Sequence, residues 1–138
     1  MITLLCTVPL LWAATMDFKK RIIPDWTWIA ILLIGLVSAF LLPAPAPYER
    51  IAGLLLPGLC LLLLAVRYGG IGGGDIKLTA ATGFCFGLNA LAVILFFSLI
   101  PVCIYAAATR QRSVPLAVFL CIGTFAYAGV CYIAGFLL

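Results

Sequence analysis

Long apolar runs alternate along this chain with short breaks rich in polar residues, proline or glycine. The runs predict helices over residues 2–16 and onward towards Pro24, 25–42, 51–66, 75–87, from a turn at 87–89 to about 109, and 114–136. A proline at every second position from Pro43 prevents helix, whereas Pro57 lies inside a run and predicts a kink, because membrane helices tolerate proline. The pattern therefore predicts an all-α chain.

Composition places these helices in a membrane. The chain has 138 residues, of which 67% are hydrophobic and only 9% charged, and its mean hydropathy is +1.33. A domain whose surface faces water cannot be this apolar. We therefore expect a polytopic membrane protein with about six transmembrane helices, forming one domain over residues 1–138, with the lipid bilayer and not nucleic acid as its surroundings.

The basic residues predict an orientation. If six spans begin outside the cell, both termini lie outside, and seven of the eight basic residues fall on the cytoplasmic side, with only Arg50 outside. The seven are Lys19, Lys20, Arg21, Arg67, Lys77, Arg110 and Arg112. The same orientation, which rests on the basic residues alone, brings Asp17 and Asp75 to one side of the membrane.

The residue types limit the available chemistry. There is no histidine, which excludes a Ser-His-Asp triad, a Cys-His pair and a His-Glu-x-x-His metal site. The six cysteines are scattered singly through apolar runs, as small packing residues are, so no metal site or cofactor is expected. A Ser-Lys pair has little support, because the serines at 38 and 98 have no lysine nearby in sequence. The four acids Asp17, Asp25, Glu49 and Asp75 remain.

Asp75 follows a loop with five glycines between residues 69 and 74. Glycine allows close backbone approach, and an ionisable group at the edge of hydrocarbon needs a partner. Asp75, Thr79, Gly83 and Gly87 recur every four residues, so they share one helix face, and that face is small enough for a buried helix contact.

Asp17 is the best partner for Asp75. Two carboxylates that approach closely share a proton, so the charged one can take a proton from water while the other donates to a carbonyl. Other interpretations stay open. Asp17 is also placed for an interfacial ion pair, Asp75 for a helix cap, Asp25 for a cap or solvated charge, and Lys77 for the cytoplasmic interface.

Two motifs resemble those of the type IV prepilin peptidases. The stretch from Asp17 through a basic segment to Pro24 and Asp25 is similar to their first aspartate motif, although many relatives have asparagine where Asp25 stands. Gly72-Gly73-Gly74-Asp75, followed by Lys77, resembles their Gly-x-Gly-Asp signature, about 60 residues further on. Val114-Pro115 resembles the entry to their last helix.

This resemblance implies an aspartic endopeptidase of the bacterial cytoplasmic membrane that needs no cofactor. Asp17 and Asp75 would be its catalytic residues, Gly72, Gly73, Gly74 and Lys77 would support the site, and Pro24 and Asp25 would be secondary. The substrate would be a prepilin or pseudopilin, whose basic leader precedes a hydrophobic helix and is cleaved at the cytoplasmic face. Larger members carry an additional part with paired cysteines that methylates the new amino terminus, so we expect cleavage without methylation here.

Two other classes of protein remain. A small transporter or proton relay would explain interfacial acids and a broken helix, but not their joint match to the peptidase motifs. It also needs an ion pathway across the membrane, and here every acid within a helix lies near one face. A catalytically silent scaffold in pilus assembly is the third possibility. The oligomeric state has no signature in the sequence.

Overall fold

Six helices make up the part of the chain that the computed structural model describes, residues 2–69, 71–109 and 116–137. They are α1 (Ile2–Lys20), α2 (Asp25–Leu41), α3 (Pro47–Tyr68), α4 (Gly73–Phe86), α5 (Leu88–Thr109) and α6 (Leu116–Leu137). The all-α prediction is confirmed. The polar loop at 110–113 and the Val114-Pro115 motif lie outside the described residues.

The helix ends differ from the predicted ones where backbone geometry competes with hydrophobicity. α1 ends at Lys20, because Arg21 has a φ of 53° and the next residues are extended, so the helix does not continue towards Pro24. α3 begins at Pro47, earlier than residue 51, since proline is well suited to the first turn of a helix. Pro57 does not end α3.

Three helices, α3, α5 and α6, are long and apolar enough to cross a membrane. α2 is a shorter apolar helix. Large apolar side chains cover much of the outer surface, with Phe40 85% and Val66 81% exposed. Such a surface fits lipid and not water, so the chain is an integral membrane protein. Six crossings and two external termini stay a prediction.

The short helix α4 occupies the centre of the bundle and packs against α2, α3, α5 and α6. Its buried residues include Leu78, Thr79, Ala81, Thr82 and Cys85. Close approach to α3 depends on Gly53 and Gly83, since a Cβ on either would overlap the backbone carbonyl of the other. The small face predicted from residue spacing is therefore a helix contact, at least at Gly83.

Arg50, the one basic residue predicted to lie outside the cell, is buried in the bundle. It is only 2% exposed, and its guanidinium donates hydrogen bonds to Ser38 Oγ at 2.8 Å and to the carbonyl oxygens of Gly35 and Cys85. It also donates to the carbonyls of Ala44 and Pro45. This set of bonds joins the end of α2, the connecting segment, the start of α3 and the end of α4.

Two cysteines that are 79 residues apart in sequence meet near this end of the bundle. The Sγ atoms of Cys6 and Cys85 are 3.2 Å apart, and both thiols are buried and free. Spacing in sequence showed only scattered cysteines, because this contact depends on α1 passing the end of α4.

Candidate active site

Asp17 lies in the last turn of α1 and is almost fully buried, with 6% of its surface exposed. Its Oδ2 accepts a hydrogen bond of 3.1 Å from the backbone N–H of Ala117, the second residue of α6. The first turn of a helix carries free N–H groups and a partial positive charge. Burial raises the pKa of Asp17, and this hydrogen bond and the charge of Arg21 oppose that shift by stabilising the ionised form.

Asp75 is the third residue of α4, and Gly72 is the residue that caps this helix. The Asp75 N–H donates to the Gly72 carbonyl at 3.1 Å, and the carboxylate accepts from the Gly72 N–H. This is the carboxylate half of a capping box, so the helix-cap interpretation describes part of what Asp75 does. The other carboxylate oxygen, Oδ1, is buried and has no hydrogen-bond partner among the described residues.

The two carboxylates come within electrostatic range at this end of the bundle. Asp75 lies in the first turn of α4, outside the three long apolar helices. Burial, and then the negative charge of Asp17, raises the pKa of Asp75 to about 6, although the hydrogen bond from Gly72 lowers it. Two carboxyl groups in such different surroundings can hold one proton between them near neutral pH.

The helices that carry these residues are brought together mainly by their neighbours. α2 and α6 each pack against both α1 and α4. The extended segment after α1 also meets the glycine loop, because a Cβ on Gly74 would lie 3.0 Å from Cβ of Ile23. Close approach through glycine, expected from the sequence, therefore occurs at Gly74. Gly73 has open space around it, and Gly72 lies against the Asp75 carboxylate.

The predicted secondary residues lie beside the pair and not in it. Pro24, not Asp25, is the capping residue of α2, and it makes no side-chain cap because proline has no polar side chain. Asp25 is the first helical residue, so the prediction of a cap at Asp25 is wrong. Its Oδ1 accepts hydrogen bonds from Trp28 Nε1 at 2.9 Å and from Lys77 Nζ at 3.4 Å.

Lys77 links α4 to α2 through this cluster, with its ammonium 5.3 Å from the centre of the Trp28 ring. The Asp25 and Lys77 side chains stay 73% and 53% exposed. The hydrogen bond from Trp28, followed by the one from Lys77, lowers the pKa of Asp25. Asp25 therefore ionises at a lower pH than Asp75.

Sequence reasoning missed the roles of two groups, one bonded to Asp17 and the other one helical turn after Asp75. Ala117, which is 100 residues away in sequence, donates a backbone N–H to Asp17, and no property of its side chain predicts this bond. Thr79 was placed on the Asp75 face by its spacing, but only the structure shows that its hydroxyl is buried without a partner. Both depend on how the helices pack.

The fold and this end of the bundle define a helical membrane protein with a buried carboxylate, Asp17, and a half-buried one, Asp75, within electrostatic range of each other. Such a pair is suited to acid–base chemistry. Comparison with known proteins agrees. The model of the type IV leader peptidase family matches residues 4–107, a segment that includes Asp17 and Asp75. The chain therefore belongs to the type IV leader peptidase family, and the resemblance seen in its motifs is confirmed.

A curated relative supports the same family. The chain is 34% identical over 96 residues to the prepilin leader peptidase/N-methyltransferase of Bacillus subtilis (strain 168). That alignment covers 69% of this chain and 39% of the relative, so the chain spans well under half of the relative's length. No solved structure matches the chain.

Proposed function

We propose that this chain is an aspartic-type endopeptidase that removes the leader peptide of type IV prepilins or pseudopilins at the cytoplasmic face of the bacterial inner membrane. Membership of the family and the name of the Bacillus relative support a leader peptidase. The observation that carries the aspartic mechanism is the meeting of Asp17 and Asp75 at one end of a bundle that has no histidine.

The two carboxylates have different roles in this proposal. Asp17 is held by the Ala117 N–H at the start of α6, so it acts as the ionised general base. Asp75 is the group whose pKa is raised by burial and by Asp17, so it holds the shared proton and acts as the general acid. Burial raises the pKa of both carboxyls, but the charge of Asp17 raises that of Asp75 further, whereas the charge of Arg21 lowers that of Asp17. This difference in environment assigns the two roles.

The reaction proceeds in two steps. Asp17 removes a proton from water as the oxygen attacks the scissile carbonyl carbon, and Asp75 gives its proton to the carbonyl oxygen, which forms a neutral diol. Asp17 then gives its proton to the leaving amine as the C–N bond breaks, and Asp75 recovers its proton from the diol hydroxyl. The pair returns to its starting protonation state, and no cofactor is required.

The substrate has a natural place beside this site. Its hydrophobic helix can lie in the bilayer against the exposed apolar faces of the bundle, while its leader reaches the loops around Asp17 and Asp75. The enzyme carries a net charge of +4, which does not attract a basic leader, so contact between apolar surfaces and the carboxylates of the site itself supply recognition. Six spans with both termini outside would place the site at the cytoplasmic face.

The test is cleavage of a co-expressed candidate prepilin, read by mass spectrometry, for the parent and for Asp17→Asn and Asp75→Asn. Asparagine keeps an oxygen that accepts the hydrogen bonds from Ala117 or Gly72, but it neither ionises nor donates an acidic proton. Each variant should accumulate normally in the membrane and lose at least about 100-fold in cleavage rate. The mass of the product also reports any methylation of the new amino terminus.

Asp25→Asn is the matched control, because it makes the same change in an exposed carboxylate on the same side. We expect it to keep most of the cleavage activity. If the variants at 17 and 75 cleave as well as the parent, the aspartic mechanism is wrong. If the parent itself leaves a panel of prepilins and pseudopilins intact, the assigned substrate class is wrong.

A further inference from the structure

We propose that Thr79 is a third catalytic residue, whose Oγ1 binds the attacking water beside the two carboxylates. This inference rests on the proposed peptidase function and adds a residue to its site. It begins with the hydroxyl groups buried in the bundle, which fall into two kinds.

Five described threonines are buried, and four of them satisfy their hydroxyl within their own helix or helix start. Thr82 donates to the Leu78 carbonyl at 2.7 Å and Thr124 to the Leu120 carbonyl at 2.8 Å, while Thr7 and Thr27 donate to carbonyls three residues earlier. Thr79 is 0% exposed and makes no such bond. A buried hydroxyl without a hydrogen-bond partner is unfavourable, so the presence of one at Thr79 calls for an explanation.

The only other buried side-chain nitrogen or oxygen without a partner in the described part of the chain is Oδ1 of Asp75. Asp75 and Thr79 are four residues apart on α4, so they lie on the same helix face, one turn apart. Two unsatisfied atoms would be unremarkable in separate places. On one helix face, where Asp75 interacts with the charge of Asp17, they mark a position where polar groups of a reacting complex fit.

The chemistry of hydrolysis gives each atom one partner. Asp75 Oδ1 carries the proton for the carbonyl oxygen of the substrate. The attacking water gives one hydrogen to Asp17 and directs the other to Thr79 Oγ1, which leaves a lone pair free for the carbonyl carbon. Orientation of this kind lowers the barrier because the water no longer has to be ordered during the reaction.

The decisive comparison is Thr79→Val against Thr82→Val, with kcat and KM measured separately on a cleaved prepilin in detergent or liposomes. Both substitutions replace a hydroxyl by a methyl group at a position with 0% exposure on the same helix, but only Thr82 has a hydrogen-bonded hydroxyl. We expect Thr79→Val to lower kcat by about 10- to 100-fold with little change in KM and no fall in Tm. Thr82→Val should keep kcat within about twofold of the parent, since its hydroxyl takes no part in the reaction.

Thr79→Ser restores the hydroxyl without the methyl group and should recover most of the kcat, a result that a purely structural role does not explain. Should either valine variant fail to accumulate, Thr79→Ala and Thr82→Ala repeat the comparison. A kcat for Thr79→Val equal to that of the parent, with Asp75→Asn inactive, overturns the role of Thr79 and leaves the peptidase intact. If Asp17→Asn and Asp75→Asn stay active, the aspartic mechanism fails and the role of Thr79 fails with it.

Discussion

Arg50 and Asp75 lie at opposite ends of the bundle. The comparison distinguishes a charge that stabilises the fold from one that is available for a reaction. Arg50 stands near the start of α3 and donates hydrogen bonds to five oxygens, four backbone carbonyls and the Ser38 hydroxyl. Asp75 stands near the start of α4 beside a second carboxylate and keeps one oxygen without a partner. A fully bonded ion stabilises the fold, whereas an incompletely bonded one is a site for a reacting group.

The same contrast appears in the small residues around the two ends. Gly53 and Gly83 bring the backbones of α3 and α4 into direct contact towards the Arg50 end. Before Asp75, a Cβ on Gly74 would lie 3.0 Å from Ile23, and a Cβ on Gly73 would meet nothing within 4 Å. Substitutions at the Arg50 end should therefore act on stability, and substitutions at the Asp75 end on catalysis.

The largest effect is expected from Arg50→Met, which leaves Ser38 and the carbonyls of Ala44 and Pro45 without their donor. We expect a loss of roughly 3 kcal/mol in stability, seen as a lower Tm in detergent and reduced membrane levels. Arg67→Met removes the same charge from an exposed position of the same helix and should change Tm little. Equal Tm values for the two variants would contradict a structural role for Arg50.

Gly83→Ala should follow, because its Cβ overlaps the Gly53 carbonyl and α3 must move away from α4. A destabilisation of about 1–3 kcal/mol is expected from such overpacking, measured by thermal unfolding. Gly129→Ala is the control, since a Cβ there meets nothing within 4 Å. That variant should be neutral or up to about 1 kcal/mol more stable, as alanine favours helix. Similar losses in both would show that helix contact is not the cause.

The pH dependence of cleavage tests the proposed role of Asp75 as the general acid. Asp75 must be protonated to act as the acid, and its pKa is raised to about 6. As pH rises through this value the carboxyl ionises, so kcat/KM should fall about tenfold per pH unit on the alkaline side. The pKa of Asp25 is lowered, so Asp25→Asn should leave the decrease of kcat/KM on the alkaline side unchanged. A rate that does not change between about pH 5 and 8 would contradict the assignment of the acid.

The smallest effect is expected for the pair of Asp25 and Lys77, which lies near the carboxylates but is largely exposed. Exposed ion pairs contribute about 1 kcal/mol or less. Asp25→Asn, Lys77→Met and the double variant should each cleave within about fivefold of the parent, with a small coupling in a double-mutant cycle. A loss of cleavage rate comparable to that of Asp75→Asn would show instead that the pair belongs to the active site.

Much of the architecture was readable from residue order. Runs of apolar residues predicted six helices and their type, because hydrophobic length and proline position are local properties. The predicted ends of α1 and α3 were less accurate, since Arg21 turns the chain before Pro24 and α3 begins at Pro47, within the segment of repeated prolines that predicted a turn. Burial of Arg50 was missed, because its partners come from α2, the connecting segment and α4.

The candidate site, like the fold, could be predicted only in part from the sequence. The absence of histidine and the scarcity of acids singled out Asp17 and Asp75 from the sequence alone, and the glycines before Asp75 predicted close backbone approach. The Ala117 hydrogen bond and the unsatisfied Thr79 hydroxyl were beyond sequence reasoning. Neither follows from residue type, since a backbone N–H is present at nearly every position and most buried threonines bond their own helix.

The sequence by itself therefore determined the helical membrane class, the family and the pair of acids available for chemistry, because these depend on residue types and their order. Tertiary structure decided which charge is satisfied and which is not. Hydrogen-bond partners for Asp17, Arg50 and Asp75 are set by helix ends that meet in space after packing, and the different pKa of each acid follows from that packing.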